Sequence, residues 1–216
     1  MKRVKVWDGA TRLFHWLLVC LLGFAWLSAR KGWLEWHMYS GYAVGALLLF
    51  RIAWGFVGSE TSRFSQFLAS PFEALRHLLH LTKREPDEQV GHNAAGGWMV
   101  IVMLLLIAAQ VITGLGTNDD ITNDAPLIKY LSKDSSDTLT FLHGRLFTFI
   151  QIAVVAHVVA IAAYLIIKRH NLVFPMLHGH KDLPVESTAP HMAHPVRAWI
   201  VFAVAAAIMY FVSEVL

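Results

Sequence analysis

The sequence has only one cysteine, Cys20, in 216 residues, and this scarcity excludes several kinds of site. An intramolecular disulfide, a CxxC metal knuckle and covalent haem attachment through CxxCH each need more cysteines than one. Charged residues are also scarce. They make up 15% of the chain, whereas soluble domains contain about 25%. Any prosthetic group must therefore be held noncovalently by side chains, in a protein that is not of ordinary soluble composition.

Long apolar runs take the place of the missing charges, since 56% of the residues are hydrophobic. A helix needs about 20 mainly apolar residues to cross the hydrocarbon core of a bilayer. We therefore predict an all-α fold, a transmembrane four-helix bundle plus a fifth C-terminal transmembrane helix. The predicted spans are residues 13–29, 37–57, 97–116, 140–167 and, with the least defined ends, 196–212. Residues 1–180 are predicted to form the main domain, and residues 181–216 a linker and the additional helix.

Residues 64–81, between the second and third spans, have a different pattern. Phenylalanine and leucine recur there at helical spacing, whereas Arg76, His77 and His80 fall on other faces. This pattern is typical of an amphipathic helix at the membrane surface. Pro71 is expected to start or kink that helix.

Lysine and arginine are distributed unevenly over the segments that connect the spans. Segments 1–12, 59–95 and 168–197 contain four lysines and arginines each, twelve in all. The segments on the other side of the predicted spans contain four together: Arg30, Lys31, Lys129 and Lys133. The positive-inside rule therefore places the N-terminus in the cytoplasm and the C-terminus outside. The outer segment 117–138 has five aspartates and two lysines, a net charge of −3.

Four of the twelve histidines lie within or at the edge of the predicted spans: His15, His37, His143 and His157. Fourteen residues separate His143 from His157, so both leave one face of a helix, about 21 Å apart along its axis. The predicted topology places His37 and His143 at the outer depth, and His15 and His157 at the inner depth. Two facing imidazole pairs are what two noncovalent b haems need, with six-coordinate iron suited to electron transfer. Ionisable residues in a membrane are costly, which favours this function over packing.

Two arginines extend the pattern. Arg51 follows His37 by fourteen residues, so it lies on the same helix face at the depth of the inner haem. Haem propionates are anionic and are bound by arginine or lysine. Arg12 is a second candidate for the inner haem, and Arg145 is a weaker one for the outer haem. An interfacial anchoring role stays open for Arg12 and Arg145.

Small and polar residues on the spans allow two interpretations each. Gly41 and Gly45 follow His37 along one helix stripe, where they either leave room for a flat macrocycle or permit close helix packing. Gln110 and Gln151 are polar groups within spans. They either hydrogen-bond across helices or contact a quinone.

The stretches around these residues carry a resemblance to a known family. They are Val6-Trp7-Asp8, Thr11-Arg12-Leu13-Phe14-His15-Trp16, His37 with Gly41-Tyr42, Arg51-Ile52-Ala53-Trp54-Gly55, Gly91-His92-Asn93 with Gly96-Gly97-Trp98, and Leu142-His143-Gly144 with His157. In order and spacing they resemble the bacterial cytochrome b561 family, which includes the b-type cytochrome subunits of nickel–iron hydrogenases. The resemblance covers roughly residues 5–180.

The resemblance implies a four-helix core in the bacterial inner membrane, with two b haems bound at His15, His37, His143 and His157. It also implies electron transfer between a periplasmic redox partner and membrane quinone, as in a respiratory chain. The acidic outer segment favours a basic partner such as a c-type cytochrome, and a hydrogenase is the other partner class. Lipid is an expected partner, nucleic acid is not, and a homo-oligomer stays open. The fifth helix departs from the many family members that have four helices.

Three functions are carried forward. The first is an electron-transfer subunit of an oxidoreductase. The second is a self-contained superoxide:quinone oxidoreductase, which some family members resemble, although net acidic outer loops lack the basic funnel that such an enzyme would benefit from. The third is a non-redox membrane protein that uses histidine as a metal ligand. Whether the chain is itself an enzyme is left open between the first two.

Overall fold

The computed structural model describes residues 1–79, 89–118 and 125–214, except for the side chain of Leu78. In this part of the chain the helices are α1 (Gly9–Arg30), α2 (Leu34–Val57), α3 (Phe64–Phe67), α4 (Pro71–Leu79), α5 (Ala94–Gly114), α6 (Lys133–Ala163), α7 (Val173–His178) and α8 (Pro195–Glu214). A π-helical turn, Tyr164–Lys168, continues α6. Two strands, β1 (Lys2–Lys5) and β2 (His180–Leu183), pair antiparallel.

Five of these helices are long and apolar enough to cross a membrane: α1, α2, α5, α6 with its π-helical turn, and α8. They confirm the all-α class and the five predicted spans. Each helix begins before its predicted span, and α6 begins at Lys133, seven residues before the predicted start, whereas α5 ends at Gly114, two residues before the predicted end. The apolar runs mark the depth of the hydrocarbon region, whereas the helices continue into the polar region beside it.

The single surface helix expected over residues 64–81 is divided into two, α3 and α4. Between them Ser70 caps α4: its hydroxyl accepts a hydrogen bond from the Glu73 backbone N–H at 3.2 Å, and the Glu73 carboxylate accepts one from the Ser70 N–H at 3.3 Å. This reciprocal capping box marks a helix N-terminus. Pro71 starts α4, as expected, because proline is favoured in a first helical turn. Residues 80 and 81 lie outside the described part.

The small sheet was not predicted. β1 pairs with β2 so that Lys2 lies opposite Leu183 and Lys5 opposite His180. Val4 and Leu183 are buried beside Val6 and Trp7 in a small apolar cluster. Each strand has four residues with one inward apolar side chain, which is too short for a period-two pattern to be evident in the sequence.

The chain packs as two compact units. Unit 1 comprises Met1–Leu13, Ile52–Val102 and Ala153–Trp199, and unit 2 comprises Phe14–Arg51, Met103–Ile152 and Ile200–Leu216.

Unit 1 joins three segments that the topology prediction places on one side of the membrane. Thr61 donates a hydrogen bond from its hydroxyl to the Val6 carbonyl at 2.7 Å. The His191 N–H donates to the Glu60 carboxylate at 2.8 Å, and the Ala193 N–H donates to the Ser59 hydroxyl at 3.0 Å. These bonds tie residues 1–12 and 168–197 to residues 59–63, so all three segments share a side.

A buried carboxylate organises the N-terminal end of α1 within unit 1. Asp8 precedes the helix and accepts hydrogen bonds from the Thr11 N–H at 2.7 Å and the Thr11 hydroxyl at 3.0 Å. It also accepts from the Ser62 hydroxyl at 3.1 Å and from the Trp54 indole N–H at 3.3 Å. Asp8 is thus the N-cap of α1, and it joins the start of α1 to α2 and to the turn that follows α2.

Candidate functional site

In unit 2, α2 and α6 bring the imidazoles of His37 and His143 next to each other. Their ring centroids lie 6.1 Å apart and their planes are almost perpendicular, at 89°. Both side chains are half-buried. The two histidines that were assigned to the outer depth are therefore neighbours, although 106 positions separate them in the sequence.

Backbone carbonyls fix the same tautomer in both rings. His37 Nδ1 lies 2.8 Å from the Ala25 carbonyl oxygen, and His143 Nδ1 lies 3.0 Å from the Gln110 carbonyl oxygen. A carbonyl only accepts, so each Nδ1 carries the proton and each Nε2 has the lone pair. Metal-binding histidines commonly donate their other ring N–H to such a carbonyl, which orients the ring and raises its basicity. Both rings are prepared to bind a metal through Nε2.

Gln110 contacts His143 twice. Besides the carbonyl contact, its side-chain amide N–H donates to His143 Nε2 at 3.1 Å. The other side-chain atom, Oε1, is buried and has no hydrogen-bond partner among the described residues. The Thr113 hydroxyl lies 3.3 Å from His143 Nδ1 on the same side of the ring. Metal binding at His143 therefore requires the Gln110 amide to turn away from Nε2, and its unsatisfied oxygen favours rearrangement.

The separation of the two rings fits one metal between them. Metal–imidazole bonds are about 2.0–2.1 Å long in zinc sites, and bonds of that order put the two ring centres roughly 6 Å apart. The observed centroid separation is 6.1 Å. The donor set of two neutral imidazoles is the one that six-coordinate b-type haem uses. His37 and His143 would hold a haem, which would supply one-electron transfer at this point.

The two glycines that follow His37 on α2 have different surroundings. A Cβ on Gly41 would meet no atom of the described residues within 4 Å, whereas one on Gly45 would lie 2.8 Å from Met209 Cε and 3.4 Å from Val111 Cγ1. Gly45 thus serves close packing of α8 and α5 on α2. Gly41 leaves open space one turn beyond His37.

The inner pair is divided between the units. His15 lies in unit 2 on α1, half-buried, with its ring 4.9 Å from that of Trp16. His157 lies in unit 1, half-buried on the same uninterrupted helix as His143. The pairing of His15 with His157 stays a prediction from their spacing and depth.

The three arginines differ in environment. Arg51, on α2, is only 2% exposed. Arg12 donates from Nη1 to the Leu177 carbonyl within unit 1. Arg145 is exposed and lies over the ring of Phe141, 5.1 Å from its centroid. Of the three, Arg51 is the one whose charge is enclosed within a span, where a counter-charge is most needed.

Residues 6–179 match the family described as prokaryotic cytochrome b561. No curated protein and no solved structure matches the chain. The matched residues include all four of the span histidines, and they end before α8.

Proposed function

This chain belongs to the prokaryotic cytochrome b561 family, and from that premise we propose how it transfers electrons. It is a multi-pass membrane protein, a b-type cytochrome of electron transfer that binds haem b. We propose that it holds two haems and carries electrons across the bacterial inner membrane, between a periplasmic redox protein and the quinone pool. Haem iron with two imidazole ligands has no open position, so it exchanges electrons without binding oxygen.

The single observation that carries this proposal is the His37–His143 pair. Both rings have their Nδ1 atoms bonded to carbonyls, at 2.8 and 3.0 Å, and their centroids lie 6.1 Å apart. A packing role needs neither the common tautomer nor this separation. In the proposal these two residues hold the outer haem.

The inner haem is assigned to His15 and His157, with Arg51 and Arg12 as partners of its propionates. This assignment is supported by the continuity of α6, because His143 and His157 lie fourteen residues apart within it. At about 1.5 Å per residue the two ligands are about 21 Å apart along the axis, on one face. That distance separates the two haems by most of the hydrocarbon thickness, about 30 Å.

The proposed orientation has the N-terminus in the cytoplasm and the C-terminus in the periplasm. The acidic segment 117–138 then faces the periplasm. Asp134 is exposed there, and Asp137 pairs with Lys133 at 3.2 Å. The other aspartates, Asp119, Asp120 and Asp124, lie outside the described residues. A basic redox protein such as a c-type cytochrome fits this charge, and a hydrogenase is the other partner class.

The proposal is tested with purified protein in vesicles that contain quinol. A pyridine haemochrome assay should count two b haems per chain. Oxidised basic cytochrome c, added to the outer side, should then oxidise both haems while quinol re-reduces them, at a rate that falls as salt rises because exposed charges are screened. One haem or none would contradict the two-haem arrangement, and a rate insensitive to salt would contradict the basic partner. Reduction of the purified protein by superoxide, without a partner, would instead favour the superoxide:quinone oxidoreductase.

Gly114 should be essential for the position of His143. A Cβ at this residue would lie 2.9 Å from His143 Cε1 and 3.2 Å from Nδ1. The ring has little freedom to move away, because its Nδ1 is bonded to the Gln110 carbonyl oxygen at 3.0 Å. We therefore expect Gly114→Ala to lower the haem content from two per chain toward one, measured by pyridine haemochrome.

The matched control is Gly144→Ala, next to His143 on α6. A Cβ at Gly144 would meet no atom within 4 Å in the described part of the chain. This variant should keep both haems. Two haems with an unchanged spectrum in Gly114→Ala would show that His143 is not held in the arrangement described.

A further inference from the structure

Unit 1 contains a buried polar cluster on the same face of α6 as His157. Tyr164 follows His157 by seven residues, which is almost two full turns, so it lies on that face about 10 Å further along the axis. Its side chain is buried, at 8% exposure. The proposed topology places it between the inner haem ligand and the cytoplasm.

Two side chains bond the Tyr164 hydroxyl. His77 Nε2 lies 2.6 Å from the phenol oxygen, and Asn93 donates from Nδ2 at 2.7 Å. The orientation of the Asn93 amide is set independently, because its Oδ1 accepts the Gly96 backbone N–H at 2.8 Å. The phenol oxygen therefore accepts from Asn93, and its own proton is shared with His77. When His77 is neutral it accepts that proton, and when it is protonated it donates one in return.

The backbone at this point departs from a regular helix. The turn Tyr164–Lys168 is π-helical, and Arg169 after it has a left-handed conformation with φ of 59°. Such π-helical turns and left-handed non-glycine residues are enriched at functional sites. Lys168 in this turn is 7% exposed, and its Nζ lies 5.7 Å from the centre of the Tyr164 ring.

His77 reaches this cluster because α4 is amphipathic. Phe72 and Leu79 on α4 are exposed by 83% and 73%, as expected of a helix whose apolar side faces lipid at the membrane surface. His77 itself is half-buried and its ring is nearly parallel to that of Tyr164, at 14°. Among the described residues, Glu73 and Arg76 lie on the same helix as His77, and Lys168 lies beside the Tyr164 ring on the π-helical turn. His77 thus connects water at the membrane surface with the buried hydroxyl of Tyr164.

We propose that His77 and Tyr164 form a proton-transfer pair that serves quinone chemistry on the inner side of the membrane. The inference rests on the proposed function. Reduction of a quinone to a quinol takes up two electrons and two protons; the electrons come through the haems, one at a time. Each proton passes from His77 Nε2 to the Tyr164 oxygen as the Tyr164 O–H gives its own proton toward the quinone oxygen, and His77 is reprotonated from water. Oxidation of quinol runs the same steps in reverse. Asn93 and Lys168 position the phenol.

The test compares Tyr164→Phe and His77→Gln with wild type, in vesicles containing quinol, with oxidised cytochrome c as the acceptor. Both variants should keep two haems, because neither residue is a ligand. Quinol-linked turnover should fall about tenfold or more, and its dependence on pH between about 6 and 8 should disappear, since histidine titrates in that range. His178→Gln, an exposed histidine of the same unit that stacks on Phe174, should behave as wild type.

If His77 and Tyr164 only held α4 against α6, the variants would be less stable but would keep the pH profile of the wild type. Equal pH profiles in the variants and the wild type would therefore overturn the proposal. Should either variant lose haem, the solvent isotope effect on wild-type turnover decides instead. Turnover is expected to be slower in deuterium oxide than in water, and equal rates in the two solvents would overturn the proposed proton transfer. If the wild type holds haem but does not react with quinol at all, the proposed function fails and the pair fails with it. If the wild type reacts and the variants match it, only the pair fails.

Discussion

Replacing His143 by alanine is expected to remove one of the two haems. The outer haem would be left with His37 as its only axial ligand, and an empty space would take the place of the second imidazole. A six-coordinate b haem depends on both nitrogens for its attachment, because no cysteine binds its edge covalently. The haemochrome count should fall from two per chain to about one, and cytochrome c added outside should oxidise the remaining haem much more slowly than in wild type.

The same loss is expected for His37→Ala, because each of the two rings would supply one ligand to the haem. His178→Ala is the control, since that side chain is exposed and stacks only on Phe174 among the rings described. Free imidazole added during haem reconstitution should restore the second haem in His143→Ala, if the only defect is the missing ligand. A count of two haems in both His143→Ala and His37→Ala would rule out the ligand assignment.

The proximity of His37 and His143 could be predicted, because depth in the membrane determines which residues on different spans can be neighbours. A helix that crosses the membrane converts residue number into depth at about 1.5 Å per residue. His37 lies near the start of the second span and His143 near the start of the fourth, and topology places these two ends on one side. The structure brings the two rings together at 6.1 Å.

The residues around this pair were not predictable in the same way. Gln110 was noted only as a polar residue in a span, and its contact with His143 depends on the rotation of α5 about its own axis. The Ala25 carbonyl that holds His37 has no signature in the sequence at all, because every residue has a carbonyl. For Gly45 the sequence allowed two interpretations, room for a macrocycle or close helix packing. Only the position of α8 shows that Met209 packs against it.

The segments of unit 1 that connect the spans were the least predictable part of the fold. Their order comes from single hydrogen bonds between distant residues, such as Thr61 with Val6, and from strands of four residues. Neither leaves a periodic pattern in the sequence. The break in the surface helix did have a local signal, because Ser70 and Glu73 have the spacing of a capping box.

Helix α6 unites the proposed electron and proton paths. His143, His157 and Tyr164 follow one another at spacings of fourteen and seven residues, both close to whole numbers of turns. One face of one helix therefore presents a ligand for each proposed haem and then the buried hydroxyl that His77 contacts. Since that order follows from residue number, changes at the three positions should interrupt the path at three different depths.

His157→Ala should therefore interrupt the path between the outer haem and quinone. His143→Ala, in contrast, should interrupt the path between cytochrome c and the inner haem. The inner haem is expected to be lost, so the count again falls to about one per chain. The remaining haem would keep His37 and His143, whose ring contact and hydrogen bonds in the described part of the chain join them to each other and to Ala25, Gln110 and Thr113. Cytochrome c added outside should still oxidise it at close to the wild-type rate, whereas its reduction by quinol should slow by about a hundredfold or more.

Val155→Ala is the matched control for this variant, because Val155 is an exposed residue on α6 between the two histidines. It should retain both haems and full quinol turnover. The comparison separates the two halves of the path: loss of reactivity with cytochrome c belongs to His143, and loss of reactivity with quinol belongs to His157. If His157→Ala kept fast quinol reduction while losing the reaction with cytochrome c, the two haems would be assigned to the wrong sides. The orientation drawn from the positive-inside rule would then have to be reversed.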